Sequence, residues 1–316
     1  MAVFAPTIFD KSRMNYRHAF HAGNFADILK HAVHALLLDA MQRKDKGFLV
    51  LDTHAGRGLY DLAGEAARRT GEAEGGVHRL LSAVSQTPEA VPEALEGLLA
   101  AIRAENPEGG ARYYPGSPRI AAHVLREQDR LVVCEPLPEE ASVLRGHLLA
   151  LGRRVQWQED GWAALKAVLP PLERRGLILI DPPYERADEF DVLIEALREA
   201  FRRFPTGVYA IWYPIKDRPP LARFHRRLAA MTPGTLLRVE LCLHPDRTAT
   251  RLNGSGLVIV NPPWPLAERL AELVPWLWRV LGADPEAPWH VDWLVDEQAL
   301  RDGTPRAAAP RKGRGG

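Results

Sequence analysis

Four residues follow directly on the apolar run 177–180, and they are Asp181, Pro182, Pro183 and Tyr184. The two prolines donate no ladder hydrogen bonds, so they end the strand and fix the backbone at that point. The Asp181 carboxylate and the Pro182 carbonyl can both accept hydrogen bonds from one amino group, and Tyr184 offers a flat face for stacking. This pattern predicts a site for the exocyclic amine of a nucleobase. The structural alternative is that Asp181 caps the next helix and Tyr184 fills the core.

A second segment repeats this design, because the apolar run 257–260 is followed by Asn261, two prolines and Trp264. An asparagine in that setting would also suit an amine. The other polar strand ends lie before Asp181 in the sequence, whereas Asn261 follows on a later strand. We therefore predict the chemistry at Asp181 and interpret Asn261 as part of a turn.

Polar residues also end three earlier strands. The first strand ends in Asp52, His54, Gly56 and Gly58, the second in Glu135, and the third in Asp160 and Gly161. Because ligands bind beyond the carboxyl ends of the strands in an open α/β sheet, we expect these residues to face one site.

The Gly-rich turn and Glu135 leave two cofactor classes open. A carboxylate at Glu135 suits the two hydroxyls of a ribose, since its oxygens can accept from both donors. A nicotinamide cofactor would share these features, and glycines after a strand also make plain tight turns. In dinucleotide folds the acidic residue usually lies about 20 residues after the glycines. That spacing decides nothing here, because a helical insertion lies between them.

The N-terminal segment is rich in histidine, with His18, His21, His31 and His34 close to Asp27. A metal site of the histidine and aspartate hydrolase kind would need a His-Asp dipeptide and further ligands on later helices. The dipeptide is absent from this segment. We therefore expect no metal, and the simpler interpretation is a solvated helix face.

The elements that position these residues alternate along the chain. The spacing of apolar residues predicts a helix over 24–43, with Asn24 or Asp27 as its N-terminal cap. Strands are expected at 48–51, 130–135, 154–158 and 177–181, and three more follow in "GVYAIWYP", "LLRVELCL" and "GLVIVNPPW". Helices are expected from about residue 118, near 139–151 and 163–168, and in "PPLARFHRRLAAM". This alternation predicts a doubly wound parallel sheet of the Rossmann-like α/β class.

The pattern also divides the chain. We expect an N-terminal extension at 1–13, with Met14 as a candidate start, and a main domain at 14–63 and 111–298. Residues 64–110, rich in Ala, Glu, Arg and Leu, predict a small helical insertion subdomain, and residues 299–316 predict a disordered basic tail.

Composition limits the classes of protein. The 41 basic and 40 acidic residues give a formal charge of +1, so any nucleic-acid surface must be a local patch. Cys134 and Cys242, the only cysteines, lie in apolar runs, which fits buried reduced thiols in a cytoplasmic protein. The sequence contains no run of about 18 apolar residues, so it predicts no membrane span.

Several segments together resemble one known family. "YRHAFHAGNFADILKH", "FLVLDTHAGRGLYDL", "RYYPGSP", "LREQD", "RRGLILIDPPYE" and "VNPPW" are similar to the bacterial 23S ribosomal RNA adenine-N6 methyltransferases of the J type. The resemblance runs from about Met14 to about Val295. It implies a class I S-adenosylmethionine-dependent methyltransferase fold with a helical insertion after the first strand.

The resemblance also implies roles for single residues. The expected contacts with S-adenosyl-L-methionine are Lys30, His31, His54, Gly56, Ser117, Glu135, Asp160 and Gly161. Asp181 would handle the target amine, and Tyr16 would meet the substrate adenosine and stack on the base together with Tyr184. Two positions depart from the pattern: "CEPLP" stands where Glu-Leu is expected, although Glu135 is kept, and Arg57 is larger than the residue usual there.

The reaction implied is attack of an adenine N6 amine on a sulfonium methyl, with Asp181 and the Pro182 carbonyl stabilising the positive charge that grows on the nitrogen. Holding both reactants in line would lower the activation barrier by about 7–11 kcal/mol, so no metal is expected. The expected partner is 23S ribosomal RNA, protein-free or in an early assembly intermediate, with no membrane and a monomeric enzyme. The alternatives are a DNA adenine-N6 methyltransferase, a nicotinamide oxidoreductase and a non-enzymatic RNA-binding module.

Overall fold

An eight-stranded sheet brings together the strand ends that carry the polar residues. The computed structural model describes residues 17–248 and 252–302. The strands in this part of the chain are β1 (Leu49–Asp52), β2 (Leu59–Asp61), β3 (Tyr113–Pro115), β4 (Arg130–Cys134), β5 (Val155–Gln158), β6 (Gly176–Ile180), β7 (Val208–Ile215), β8 (Leu236–Cys242), β9 (Gly254–Val260) and β10 (Trp289–Val295).

Helices pack on both faces of this sheet, and others form the segment between β2 and β3 in the described part of the chain. They are α1 (Phe25–Gln42), α2 (Glu65–Thr70), α3 (Arg79–Gln86), α4 (Glu96–Glu105), α5 (Ser117–Val124), α6 (Pro138–Leu148), α7 (Gly161–Val168), α8 (Glu189–Arg203), α9 (Arg218–Ala229), α10 (Leu266–Leu281) and α11 (Glu297–Asp302). Asn24 caps α1, because its side chain accepts a hydrogen bond from the Asp27 amide.

The strand order of the sheet is β10-β8-β9-β7-β6-β1-β4-β5. The five strands from β7 to β5 are parallel, and every residue of β1 and β6 is buried, as expected for strands covered on both faces. Successive residues of β1 alternate between two apolar clusters, one shared with α1, α4, α5 and α10 and the other with α7, α8 and α9. The predicted doubly wound α/β fold is confirmed.

Strand direction separates the two proline motifs. β9 runs antiparallel to β7, and Val260 pairs with Tyr209 near the start of β7. Asn261 therefore lies at the opposite edge of the sheet from Asp181. Its Nδ2 donates to the carbonyls of Pro205 and Gly207, at 2.8 Å each, so it braces the turn before β7 as predicted.

Helix α1 is not a solvated face, and that interpretation of the histidine-rich segment is wrong. All residues from Phe25 to Leu38 are buried, and His31 and His34 are each 1% exposed. The cause is that α1 packs against β9, α4, α5 and α10 at once.

The segment at 64–110 is helical and leaves from a two-stranded ribbon. β2 and β3 pair antiparallel, with Leu59 opposite Pro115, and form the root of the segment. Its buried side chains, which include Leu80, Leu98 and Ile102, belong to the same apolar cluster as α1.

The last described residues differ from the predicted tail. Residues 299–302 lie in α11, and Ala299 is 7% exposed within the apolar cluster of α7 to α9. The tail boundary at 299 was placed too early, because burial of Ala299 gives this short helix an anchor. The predicted extension at 1–13 and the residues from 303 onward lie outside the described ranges.

Both cysteines are buried and unpaired, Cys134 at the end of β4 and Cys242 at the end of β8. Burial raises the pKa of both thiols, that of Cys242 to about 12. Among the described helices, none has the length and apolar character that crossing a membrane requires.

Candidate active site

A cavity of about 780 Å³ lies at the carboxyl ends of β1, β4, β6 and β7. Its walls also include the first turns of α1, the start of α5 and one residue of the helical segment, Glu72. Ten of the predicted site residues line it: Lys30, His31, His54, Gly56, Ser117, Glu135, Asp181, Pro182, Pro183 and Tyr184. The topology therefore brings together residues from the whole length of the sequence at one edge of the sheet.

Lys30 joins two carboxylates at the centre of the cavity. Its Nζ lies 2.6 Å from Asp181 Oδ2 and 2.9 Å from Asp27 Oδ1. Asp27 Oδ2 is also 2.9 Å from His18 Nε2 and accepts from the Gly23 amide at 2.9 Å. Asp27 is 2% exposed, so these partners replace the water that its carboxylate loses.

Electrostatics keep Lys30 and Asp27 ionised. Burial opposes the charged form of Lys30, but the attraction of Asp181 and Asp27 outweighs it and raises the pKa of Lys30. Burial also opposes ionisation of Asp27, yet His18 and Lys30 hold the pKa of Asp27 well below its usual range. One ammonium and two carboxylates give these three side chains a formal charge of −1, which suits a partner on which positive charge develops.

Tyr184 is held rigidly beside Asp181. Its backbone φ is +52°, in the left-handed region that residues other than glycine rarely adopt. Its hydroxyl donates to the Trp212 carbonyl at 2.6 Å, and its ring packs against Phe190 and Trp212. Trp212 lines the same wall, and Lys30 Nζ lies 5.7 Å from its ring centre.

Glu135 ties the end of β4 to the Gly-rich turn after β1. The Gly56 amide donates to Oε2 at 3.0 Å and the Leu137 amide to Oε1 at 2.9 Å. The pKa of Glu135 is raised to about 7, and burial is the largest of the effects that shift it. Each carboxylate oxygen retains a second lone pair, so both can accept from a ligand hydroxyl as well.

Asp52 lies behind the cavity and orients Ser117. The Ser117 hydroxyl donates to Asp52 Oδ2 at 2.7 Å, and the His54 amide is 3.3 Å from Oδ1. Burial raises the pKa of Asp52 to about 6 and lowers the pKa of His54 to about 4, so His54 is neutral. Burial also holds the pKa of His31 well below its usual range, and its Nδ1 lies 2.8 Å from the Tyr114 hydroxyl.

Asp160 and Gly161 do not line the cavity, unlike the other predicted contacts. Asp160 caps α7 by accepting from the Trp162 and Ala163 amides at 2.8 and 3.2 Å. Gly161 passes so close to β1 that an added Cβ would lie 2.2 Å from the Thr53 carbonyl oxygen. The Trp162 ring meets the ring of His54 with centres 5.3 Å apart, so this turn supports the cavity wall from behind.

Tyr16, the predicted base contact, lies outside the described residues. Sequence reasoning missed Trp212 and Glu72, and it considered Asp27 only as a cap or metal ligand. The spacing of Asp27 and Lys30 by three residues on one helix was a usable signal. Within the described ranges, no group of three or more His, Cys, Asp or Glu residues is arranged to hold a metal ion.

The chain is similar to known ribosomal RNA methyltransferases. A family model described as ribosomal RNA large subunit methyltransferase D, RlmJ, matches residues 45–295. Ribosomal RNA large subunit methyltransferase J of Escherichia coli is 41% identical over 284 residues, which cover 90% of this chain and 100% of that protein. The Haemophilus influenzae protein of the same name is 40% identical over 285 residues, with the same coverage.

A solved structure gives the same result for the fold. The crystal structure of protein LPL1258 from Legionella pneumophila has a TM-score of 0.78 and 34% identity, over 86% of this chain and 98% of that one. The match to the family model and the two relatives spans far more than half of this chain. The chain therefore belongs to the RlmJ family of ribosomal RNA large subunit methyltransferases.

Proposed function

We propose that this protein transfers the methyl group of S-adenosylmethionine to the N6 amine of an adenine in 23S ribosomal RNA. Methylation of ribosomal RNA is the activity that the family name states, so the DNA alternative is not favoured. The observation that carries the choice of an adenine amine is Asp181, paired with Lys30 at 2.6 Å and followed by Pro182 and Tyr184 on the cavity wall.

Asp181 and Pro182 act on the amine. Asp181 Oδ2 accepts from Lys30, so Oδ1 is the oxygen that we assign to the substrate amine. The amine is a poor nucleophile because its lone pair is delocalised into the ring. Hydrogen bonds to Asp181 Oδ1 and to the Pro182 carbonyl would favour a pyramidal nitrogen and stabilise the charge that develops on it. The Asp181 carboxylate can then accept the proton, directly or through water.

Lys30 and Asp27 hold Asp181 in place for this step. The Lys30 ammonium fixes the orientation of the Asp181 carboxylate, and Asp27 balances the charge of Lys30. Because the cluster remains at −1, it attracts a cationic reaction partner despite the lysine. A preorganised charge in a cavity costs no reorganisation at the moment of reaction.

The residues at the β1 and β4 ends fit S-adenosylmethionine, which when bound supplies a methyl group on a positively charged sulfur. The half-buried Glu135 carboxylate suits the ribose hydroxyls, and Ser117, held by Asp52, offers a hydroxyl at the N-terminus of α5. Neutral His31 and His54 complete this side of the cavity without adding positive charge. We assign Asp160 and Gly161 to the support of this wall.

The substrate base must leave its stack to reach Asp181. Tyr184 and Trp212 form an aromatic part of the cavity wall, against which the base can pack. Tyr16 is a further proposed contact with the base. Arg17 and Lys216 are exposed cations on the lining of the cavity, suited to phosphates that flank the base. We further propose protein-free 23S RNA or an early assembly intermediate as the substrate, a monomeric enzyme, and action in the cytoplasm.

The test is transfer of labelled methyl from S-adenosylmethionine to protein-free 23S RNA, with double-stranded and single-stranded DNA as competitors. The expected product is N6-methyladenosine in the RNA, with little effect of either DNA. Label on DNA, or on another RNA position such as a ribose or a cytosine, would refute the proposal.

A further inference from the structure

The helical segment between β2 and β3 reaches the active site through one side chain. Glu72 follows α2 and lines the cavity, although it belongs to no strand end. Its Oε1 is 2.9 Å from His21 Nδ1, and its Oε2 accepts from Asn24 Nδ2 at 2.9 Å. One carboxylate thus binds two residues of the stretch 18–24, which leads into α1.

The backbones of the two segments also meet directly. The Val77 amide donates to the Gly23 carbonyl at 2.8 Å, and the Thr70 hydroxyl donates to the Phe20 carbonyl. Gly76 faces this contact, where an added Cβ would lie 2.0 Å from the Gly23 carbonyl oxygen. The helical segment therefore fits the stretch 18–24 too closely for any side chain at position 76.

A continuous polar path runs from Glu72 to the reacting end of the cavity. Asn24, held by Glu72, accepts the Asp27 amide at 3.0 Å through its Oδ1. Asp27 binds Lys30 at 2.9 Å, and Lys30 binds Asp181 at 2.6 Å. Each link joins groups that are buried or half-buried, where hydrogen bonds are stronger than in water.

We infer that Glu72 is a positioning residue for methyl transfer: it fixes the RNA-facing wall formed by residues 18–24 and, through Asn24 and Asp27, the orientation of Lys30. This inference rests on the proposed function, since it names a further residue that the same reaction needs. It assigns the helical segment a task on the RNA side of the cavity, because each Glu72 oxygen is bound to a residue of the stretch 18–24.

The pair of His21 and Glu72 is charged over a limited pH range. Among the described residues, the charges of Glu72 in the helical segment and of Asp27 in α1 act on His21. The hydrogen bond to Glu72 raises the pKa of His21 against the opposing effect of burial. Burial opposes ionisation of Glu72, but the hydrogen bonds from His21 and Asn24 outweigh it and lower its pKa. The ion pair therefore weakens as pH rises through the raised pKa of His21.

The experiment compares Glu72→Ala, Glu72→Gln and the control Glu65→Ala, an exposed glutamate in α2. Steady-state methyl transfer to 23S RNA gives kcat and KM, and calorimetry gives the Kd for S-adenosylmethionine. We expect Glu72→Ala to raise KM for RNA about tenfold, the value of one charge-assisted hydrogen bond, with the Kd for S-adenosylmethionine unchanged. Glu72→Gln keeps the shape and should raise KM about threefold, and Glu65→Ala should match the wild type.

A pH series separates positioning from a general loss of stability. In the wild type, KM for RNA should rise as pH passes the pKa of His21, and in Glu72→Gln this rise should move to lower pH because the carboxylate is gone. Glu72→Gln with a wild-type KM and an unshifted pH dependence would overturn the inference, as would equal losses of RNA and S-adenosylmethionine binding in Glu72→Ala. A wild type that methylates no RNA would instead overturn the proposed function, and the inference with it.

Discussion

Replacing Asp181 by asparagine changes the reacting end of the cavity with almost no change of shape. The asparagine side chain would still offer one oxygen to Lys30, whose Nζ lies 2.6 Å from the carboxylate in the wild type. Its amide NH2 would then face the substrate amine, so a donor would meet a donor. The change also removes one negative charge, which takes the cluster of Asp27, Lys30 and position 181 from −1 to neutral.

The expected loss follows from these two effects. Removal of one preorganised group that stabilises developing charge costs about 10²–10³ in kcat, or about 2.7–4 kcal/mol. Loss of the proton acceptor acts on the same step, so the two effects do not simply add. S-adenosylmethionine binding should stay within a few-fold, because Glu135, Ser117 and His54 are untouched.

The matched control is Asn261→Ala in the second proline motif. Asn261 Nδ2 holds the carbonyls of Pro205 and Gly207 at 2.8 Å, and its φ is +53°. Its loss should lower the free energy of unfolding by about 1–3 kcal/mol and leave kcat unchanged below the melting temperature. The two variants should therefore separate catalysis from stability.

The assay is single-turnover transfer of labelled methyl to 23S RNA, with thermal unfolding measured on the same samples. Asp181→Asn that retains more than a tenth of the wild-type rate would refute the assigned role of Asp181. A loss of rate in Asn261→Ala equal to that in Asp181→Asn would refute the assignment of the chemistry to one edge of the sheet.

Two further predictions concern cofactor binding and packing. Burial raises the pKa of Glu135 from 4.5 to about 7, so the folded state binds this proton more tightly and stability falls as pH rises through that window. The melting temperature of the wild type without ligand should therefore fall more steeply from pH 5 to pH 8 than that of Glu135→Gln, which has no proton to lose there. The variant should also bind S-adenosylmethionine about tenfold or more weakly by calorimetry; an equal fall of melting temperature in both proteins would contradict the sign. Gly161→Ala should lower the free energy of unfolding by more than about 2 kcal/mol in a denaturant titration, because its Cβ would meet the Thr53 carbonyl oxygen at 2.2 Å. Gly146→Ala, in the exposed part of α6 with open space around it, should instead be neutral or raise it by up to about 1 kcal/mol; similar losses in both would show that the clash is relieved.

Strands that are buried on both faces were predictable, because their signal is local. The runs 48–51 and 177–180 are wholly apolar and end in a carboxylate, and both are found within a residue of their predicted positions. The separation of Asn261 from Asp181 was also predictable from chain order, and β9 does end at the opposite edge of the sheet; the choice of Asp181 for the chemistry stays a prediction. The position of the cavity at the carboxyl ends of these strands was expected for an open α/β sheet.

Short and half-buried strands gave no such signal. β2 and β3 have three residues each and pair across a separation of some fifty residues, and β3 ends in Pro115. β10 was missed for a different reason: six of its seven residues are only half-buried, so its apolar pattern is mixed with His290 and Asp292. Both cases depend on tertiary contacts that no window of the sequence contains.

The hydrogen bonds and ion pairs among the polar residues of the site could not be predicted from the sequence. Lys30 and Asp181 lie 151 positions apart, and only the packing of α1 across the sheet brings them within 2.6 Å. The same packing buries His31 and His34, although the polar residues in the first half of α1 indicated an exposed helix. Burial of such residues requires partners from other elements, and those partners are fixed only by the complete fold.

The two buried thiols can serve as probes of local opening of the sheet. Cys134 and Cys242 lie on β4 and β8, on opposite flanks of the sheet, and a thiol with a raised pKa inside the protein alkylates only after its strand separates from its neighbours. Alkylation followed by mass spectrometry would thus measure the opening rate of each flank separately. If S-adenosylmethionine slows labelling of Cys134 more than that of Cys242, the cofactor-side half of the sheet opens as a unit of its own. Equal protection at both sites would mean that the sheet opens only as a whole.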